Sequence, residues 1–202
     1  QSITQKEVIR QRVRVRKTAD AASGERTATL ESWKSVRSAY WNSGADSVNA
    51  ELWERYKGNG LAAALPLSPA AVEAWAKLAG SEPSTSREAE SIDVQVVSNL
   101  AGRGRGLKAV RFHVQTATWH MDQMTLSFAD ATFQISEEES SILGRNAVPK
   151  EVLAALESIA DASVRTPGSA TRASRALGAA ALTGASKPLN VDDLEMSVRY
   201  TL

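Results

Sequence analysis

The chain has 202 residues, 43% hydrophobic and 23% charged side chains, a formal net charge of +1 and no cysteine. A chain of this size folds as a globular domain that hides about 70% of the surface its unfolded form exposes, and the lack of cysteine excludes disulfides, thiolate metal sites and cysteine nucleophiles. Its longest apolar runs, at 61–67 and 179–182, fall far short of the ~20 residues that a membrane-crossing helix needs, so no membrane span is expected.

Near the start of the chain, Arg10, Arg12, Arg14 and Arg16 alternate with Gln11, Val13 and Val15. Only an extended strand turns a period of two into one face, and on such a strand the guanidiniums recur every ~6.6 Å. That spacing approaches the phosphate repeat of an extended nucleic-acid strand, and the planar guanidinium matches phosphate geometry with a fork of donors. Six basic side chains between Lys6 and Lys17 face Glu7 alone. Residues 1–24 therefore read as a basic N-terminal arm closed by a small, polar hinge at 18–24. The valine face of such a strand requires a sheet edge, either of its own molecule or of a neighbour.

Residues 25–202 are expected to form a single α+β domain, beginning with a helical part at 25–80. Leu30, Trp33, Val36, Tyr40 and Trp41 share one sector of a 3.6-residue wheel and predict a helix over 30–41. Asp46 caps a second helix carrying Val48, Leu52 and Tyr56 inward, with Gly58-Asn59-Gly60 as its end. Ser68-Pro69 opens a third, with Val72, Trp75, Ala76 and Ala79 on one face and Gly80 as its stop. Residues 81–91 form a solvated linker.

The period then changes to two, giving a sheet over 92–136. Ile92, Val94 and Val96 pair with Val110, Phe112 and Val114 as a hairpin whose glycine-rich turn carries Arg103 and Arg105. Met124, Leu126 and Phe128 follow in one phase and Ala131, Phe133 and Ile135 in the other, which demands a turn or bulge near Ala129 and Asp130. The acidic run 137–139 reads as a solvated helix start. Pro149 opens a helix through Val152, Leu153, Leu156 and Ile159, an alanine-rich helix covers 170–182, and strict alternation over 194–202 gives a last strand. The expected fold is thus α+β: a helical N-terminal subdomain, a central antiparallel hairpin or small sheet, a C-terminal helix pair and strands at both termini.

The chemistry on offer is phosphate binding. Arg10, Arg12, Arg14, Arg16, Lys17, Arg103, Arg105, Lys108 and Arg111 lie in two segments almost free of acid, and the glycines around Arg103 and Arg105 allow close backbone approach to an anion. Arg165, Arg172, Arg175 and Lys187 make a third patch, while acids gather at 82–93, 137–139 and 192–195. Trp33, Trp41, Trp53 and Trp75 occupy positions suited to core packing, and Trp119 is the better base-stacking candidate. His113, His120 and Asp122 resemble a metal site only in residue type, since their spacing fits no established signature. Phosphate-loop and dinucleotide fingerprints are missing, and no cofactor is expected.

These features favour a non-enzymatic, self-assembling structural subunit of the coat or nucleoprotein kind. It would meet other copies through its terminal strands and RNA or DNA through phosphate neutralisation. One rival is a scaffold or accessory subunit whose basic patches meet acidic protein surfaces. The other is an enzyme built on His113 and His120 or on carboxylates such as Asp130, Glu137, Asp192 and Asp193.

Overall fold

The valines between the arginines at the chain start do find a sheet, in a strand paired on both sides. A computed structural model describes residues 3–19, 24–61, 64–88, 90–98, 106–118 and 120–165. Among these described residues eight strands form one antiparallel sheet: β1 (Glu7–Ala19), β2 (Glu25–Lys34), β3 (Ala39–Asn42), β4 (Ser84–Arg87), β5 (Ser91–Val97), β6 (Ala109–Gln115), β7 (His120–Ser127) and β8 (Ala131–Gly144), in the order β3-β2-β1-β8-β7-β6-β5-β4. Two meanders, β1 to β3 and β4 to β8, are joined side by side where β1 pairs β8. Between them α1 (Ser47–Gly58) and α2 (Pro69–Ala79) carry the chain from one edge of the sheet to the other, and α3 (Lys150–Arg165) follows β8. Residues Gln1–Ala160 form one compact unit and Asp161–Leu202 a second, of which the structure describes 161–165. Among the described residues no helix is long and apolar enough to cross a membrane.

This architecture overturns the expected division into a helical N-terminal subdomain, a small central sheet and a C-terminal helix pair. Residues 30–41 are the end of β2, a tight turn and β3. Their helix-like spacing arises because this corner of the sheet is covered on both faces: Leu30 and Ser32 are buried on one side, and Trp33 on the other beneath α3. Burial on both faces breaks the period of two and imitates a helical wheel. The linker is extended enough to form β4, every residue of which is exposed. The acidic run belongs to β8, and the third strand is two strands, β7 and β8, turning at Ala129 and Asp130 where Phe128 N–H donates to Ala131 C=O at 2.9 Å. The first helix of the C-terminal pair is α3. The second, at 170–182, and the strand at 194–202 lie outside the described residues.

Elsewhere local signals and structure agree. Asp46 accepts from the N–H groups of Val48 and Asn49 at the start of α1, Ser68 caps α2, and Gly80 ends α2 in the left-handed conformation at φ 62°. The two helices share one face of the sheet, where Val13, Val15, Leu30, Phe133 and Ile135 of the central strands are fully buried with Leu52 and Tyr56 of α1. Trp41, Trp53 and Tyr56 pack as one cluster, with Trp41 ring centroids 5.1 and 4.8 Å from those of the other two. Farther along, Val72 and Trp75 of α2 close over Val110, Met124 and Leu126 around an apolar gap of about 10 Å³. Trp33, Trp41 and Trp75 are therefore core residues.

Among the described residues the opposite face is covered only at one corner. There α3 lays Val152 and Leu156 over Val8, Trp33 and Val148, and Ser38 Oγ donates to Leu156 C=O at 2.7 Å.

Candidate functional site

Strand alternation fixes which side chains share the uncovered face. In β1, Val13 and Val15 point to the helices, so Arg12, Arg14 and Arg16 point away from them and are exposed. The register carries this choice across the sheet. Thr27, Arg16, Gln134, Thr125, Arg111, Gln95 and Ser84 stand opposite one another from β2 to β4. Thr29, Arg14, Ser136, Gln123, His113, Asp93 and Ser86 form the next row. Both rows consist entirely of polar side chains over seven strands, about 29 Å at ~4.8 Å per strand. We refer to this as the open face.

Two segments far apart in sequence meet there. Arg16 and Arg111 belong to one row, separated only by Gln134 and Thr125, so the basic segments at 10–16 and 108–111 share one surface. Lys108 is exposed beside β6, its backbone bonded to Ser98 and Ser127. Arg103, Arg105 and Trp119 lie outside the described residues. Lys17 has the other parity and faces the helices, where Nζ meets Glu51 of α1 at 2.5 Å and lies 6.0 Å from the Phe133 ring. Arg10 stands at the α3 corner, its guanidinium 5.6 Å from the Trp33 ring centroid and 2.6 Å from Glu31.

The arginines are not free cations. Arg10 also reaches Glu139 at 3.3 Å, Arg12 and Arg14 both bind Glu138 at 3.3 and 2.7 Å, and Arg16 lies 3.6 Å from Glu25 and bonds Gln134. Arg111 holds Asp93 at 2.6 Å, and that hydrogen bond and charge raise its pKa further. Two residues of the acidic run, Glu138 and Glu139, are thus counter-charges of the arginine row. The guanidiniums nevertheless remain open to solvent, with 65% of the Arg14 side chain and 63% of the Arg111 side chain exposed.

Glu138 gains its position from an irregularity. Arg12 pairs Glu139 and Val13 pairs Glu137, which leaves Glu138 as an extra residue in a bulge of β8. A second bulge, in β7, lies between the pairs His113–Gln123 and Val114–Met121 and leaves Asp122 without a ladder partner. Asp122 takes His113 Nδ1 at 2.8 Å and Gln115 Nε2 at 2.8 Å. Burial pushes the Asp122 carboxyl up, but the hydrogen bonds from His113 and Gln115 outweigh it and leave its pKa below the ordinary value. In both bulges an inserted carboxylate bridges two side chains spaced i and i+2 on the adjoining strand.

The histidines do not meet on a common ligand. His113 turns to Asp122, while His120 Nε2 lies 2.6 Å from Glu137 Oε1, whose other oxygen accepts from Gln11 Nε2 at 3.1 Å. Among the described residues no group of three or more His, Asp or Glu side chains is placed to hold a metal ion. The carboxylate of Asp130 is held by both terminal nitrogens of Arg55 at 2.7 Å. At the β2–β3 end an open depression of about 430 Å³ is bordered by Arg12, Glu31, Asn42, Asp46 and Asn49.

Sequence alternation identifies Arg12 to Arg16 and Arg111 but misses Gln134, Thr125, Gln123 and Glu138. Hydrophobic period reveals which face of a strand is buried, whereas membership of a row depends on register and on the two bulges. The sequence matches no protein-family model and no curated protein.

Proposed function

We propose that this chain is a non-enzymatic structural subunit whose open sheet face contacts the phosphate backbone of a nucleic acid. The observation that carries the reading is the convergence of Arg12, Arg14, Arg16 and Arg111 on one face that no other described element covers at their positions, with Gln134, Thr125 and Gln123 as neutral hydrogen-bonding groups between them. Guanidiniums spread over several strands suit an extended polyanion that crosses those strands, and exposed guanidiniums retain donors beyond those given to their carboxylates. Assembly with other copies falls to the outer strands β3 and β4, since β1 is paired on both sides within its own chain.

The charge balance of the face favours one alternative in particular, a scaffold subunit that meets proteins only. Salt separates the two. Two to three phosphate contacts on a single strand predict that log K for a mixed-sequence oligonucleotide falls against log salt with a slope of roughly −1.4 to −2. Arg16→Gln with Arg111→Gln is expected to reduce that slope by about 1.4. A wild-type chain that fails to bind the oligonucleotide at low salt, or binds with no salt dependence, rules phosphate contact out and leaves the scaffold reading.

A further inference from the structure

We propose that Glu138 occupies a phosphate position, so that Arg12 and Arg14 form an anion site kept closed by the chain's own carboxylate. The proposal rests on the phosphate-binding reading above and names one of its subsites. Glu138 Oε2 lies 3.3 Å from Arg12 Nε, and Oε1 lies 3.0 Å from Arg14 Nε and 2.7 Å from its terminal nitrogen. A phosphodiester offers the same single charge and the same pair of terminal oxygens, so it fits two guanidiniums in the way this carboxylate does.

The bulge argues that the arrangement is specific rather than a by-product of charged neighbours. In an uninterrupted ladder Arg12 would take the carboxylate opposite it, Glu139, but Glu139 goes to Arg10 at 3.3 Å. One inserted residue places an additional carboxylate between Arg12 and Arg14 and ties both. Bulges re-aim single side chains at a cost in ladder pairing, and here the residue re-aimed is the one that neutralises two arginines together. Anything that binds this pair must displace Glu138, and the row is thereby set to bind weakly until a polyanion competes along its whole length.

The test uses the full chain with Glu138→Gln, Glu138→Ala and, as a control for net charge, Glu139→Gln. Binding of a labelled single-stranded oligonucleotide is read by anisotropy over a salt series, and binding of inorganic phosphate is read as a rise in melting temperature. Both Glu138 variants are expected to bind the oligonucleotide about tenfold tighter than wild type, with a slope steeper by about 0.7 for one additional phosphate contact. Phosphate is expected to raise their melting temperature more than that of wild type, while Glu139→Gln stays within about twofold of wild type in affinity. Equal gains from Glu139→Gln and Glu138→Gln overturn the proposal in favour of a general charge effect. Wild-type binding that neither Glu138 variant improves overturns it while leaving the proposed function intact. Phosphate stabilisation of the Glu138 variants without oligonucleotide binding by any chain keeps the anion site and rejects the nucleic-acid reading, and no response from any chain rejects both.

Discussion

The two faces of the β1–β8 pair are built from alternate residues of the same strands, yet they differ in what holds them. On the helix face Val13, Val15, Phe133 and Ile135 are removed from water altogether and locked under α1. On the open face the intervening Arg12 and Arg14 share the Glu138 carboxylate and Arg16 bonds Gln134, all at the solvent boundary. Apolar burial contributes about 25 cal/mol per Å² removed from water, whereas exposed ion pairs contribute about 0–1 kcal/mol each. Within this strand pair the helix face therefore supplies most of the stabilisation, and outside the α3 corner the opposite face adds little.

Three changes test this contrast. Phe133 is fully buried and meets Phe128 edge to face at 5.9 Å, so Phe133→Ala should destabilise the chain by about 3–5 kcal/mol in urea unfolding. A loss no larger than that of an open-face substitution would show that the helix face is not the main source of stability.

Gln11 gives an intermediate case, a polar side chain buried on the helix face at 3% exposure. Its Oε1 accepts from Leu67 N–H at 3.1 Å, and its Nε2 donates to Glu137 at 3.1 Å and to Leu67 C=O at 3.4 Å. Gln11→Ala strands a buried backbone N–H and should cost about 2 kcal/mol in the same unfolding measurement. An unchanged midpoint would mean that water replaces the amide without penalty.

Acid produces the smallest effect and probes one carboxylate from each side. For Glu51 burial pushes the carboxyl up, but hydrogen bonds and charge from Lys17 and Arg55 leave it net below its ordinary value, and Asp122 is likewise lowered on the open face. A carboxylate whose pKa is depressed by folding contributes stability above its unfolded value and loses it as pH falls through the folded value. Melting temperature should therefore drop as pH falls below about 4.5, the ordinary value of Glu51. Glu51→Gln and Asp122→Asn should each lower stability at neutral pH and flatten the acid limb, and a limb as steep as that of wild type in both variants would assign the loss to other groups.

Legibility followed the range of the interaction that decides each feature. Asp46, Ser68-Pro69 and Gly80 announce α1 and α2 because caps act within one turn of the backbone. The alternation at 10–16, 92–96 and 110–114 announces strands because only their helix face is buried there. Residues 30–41 mislead because α3, more than a hundred positions away in sequence, buries Trp33 on the face that alternation assigns to solvent. The arginine row was visible, whereas its counter-charges were not, since Glu31, Glu138 and Glu139 reach it only through pairing with β2 and β8.

Local alternation is enough to put Arg12, Arg14 and Arg16 on one face of a strand with valines behind them, because side-chain direction along an extended backbone is a local property. It takes the tertiary fold to pair this strand on both sides within its own sheet, to bring Arg111 to the same surface, and to place Glu138 in a bulge between two of the arginines. Those are matters of strand order and register, set by which apolar faces the helices cover and invisible to any reading of neighbouring residues.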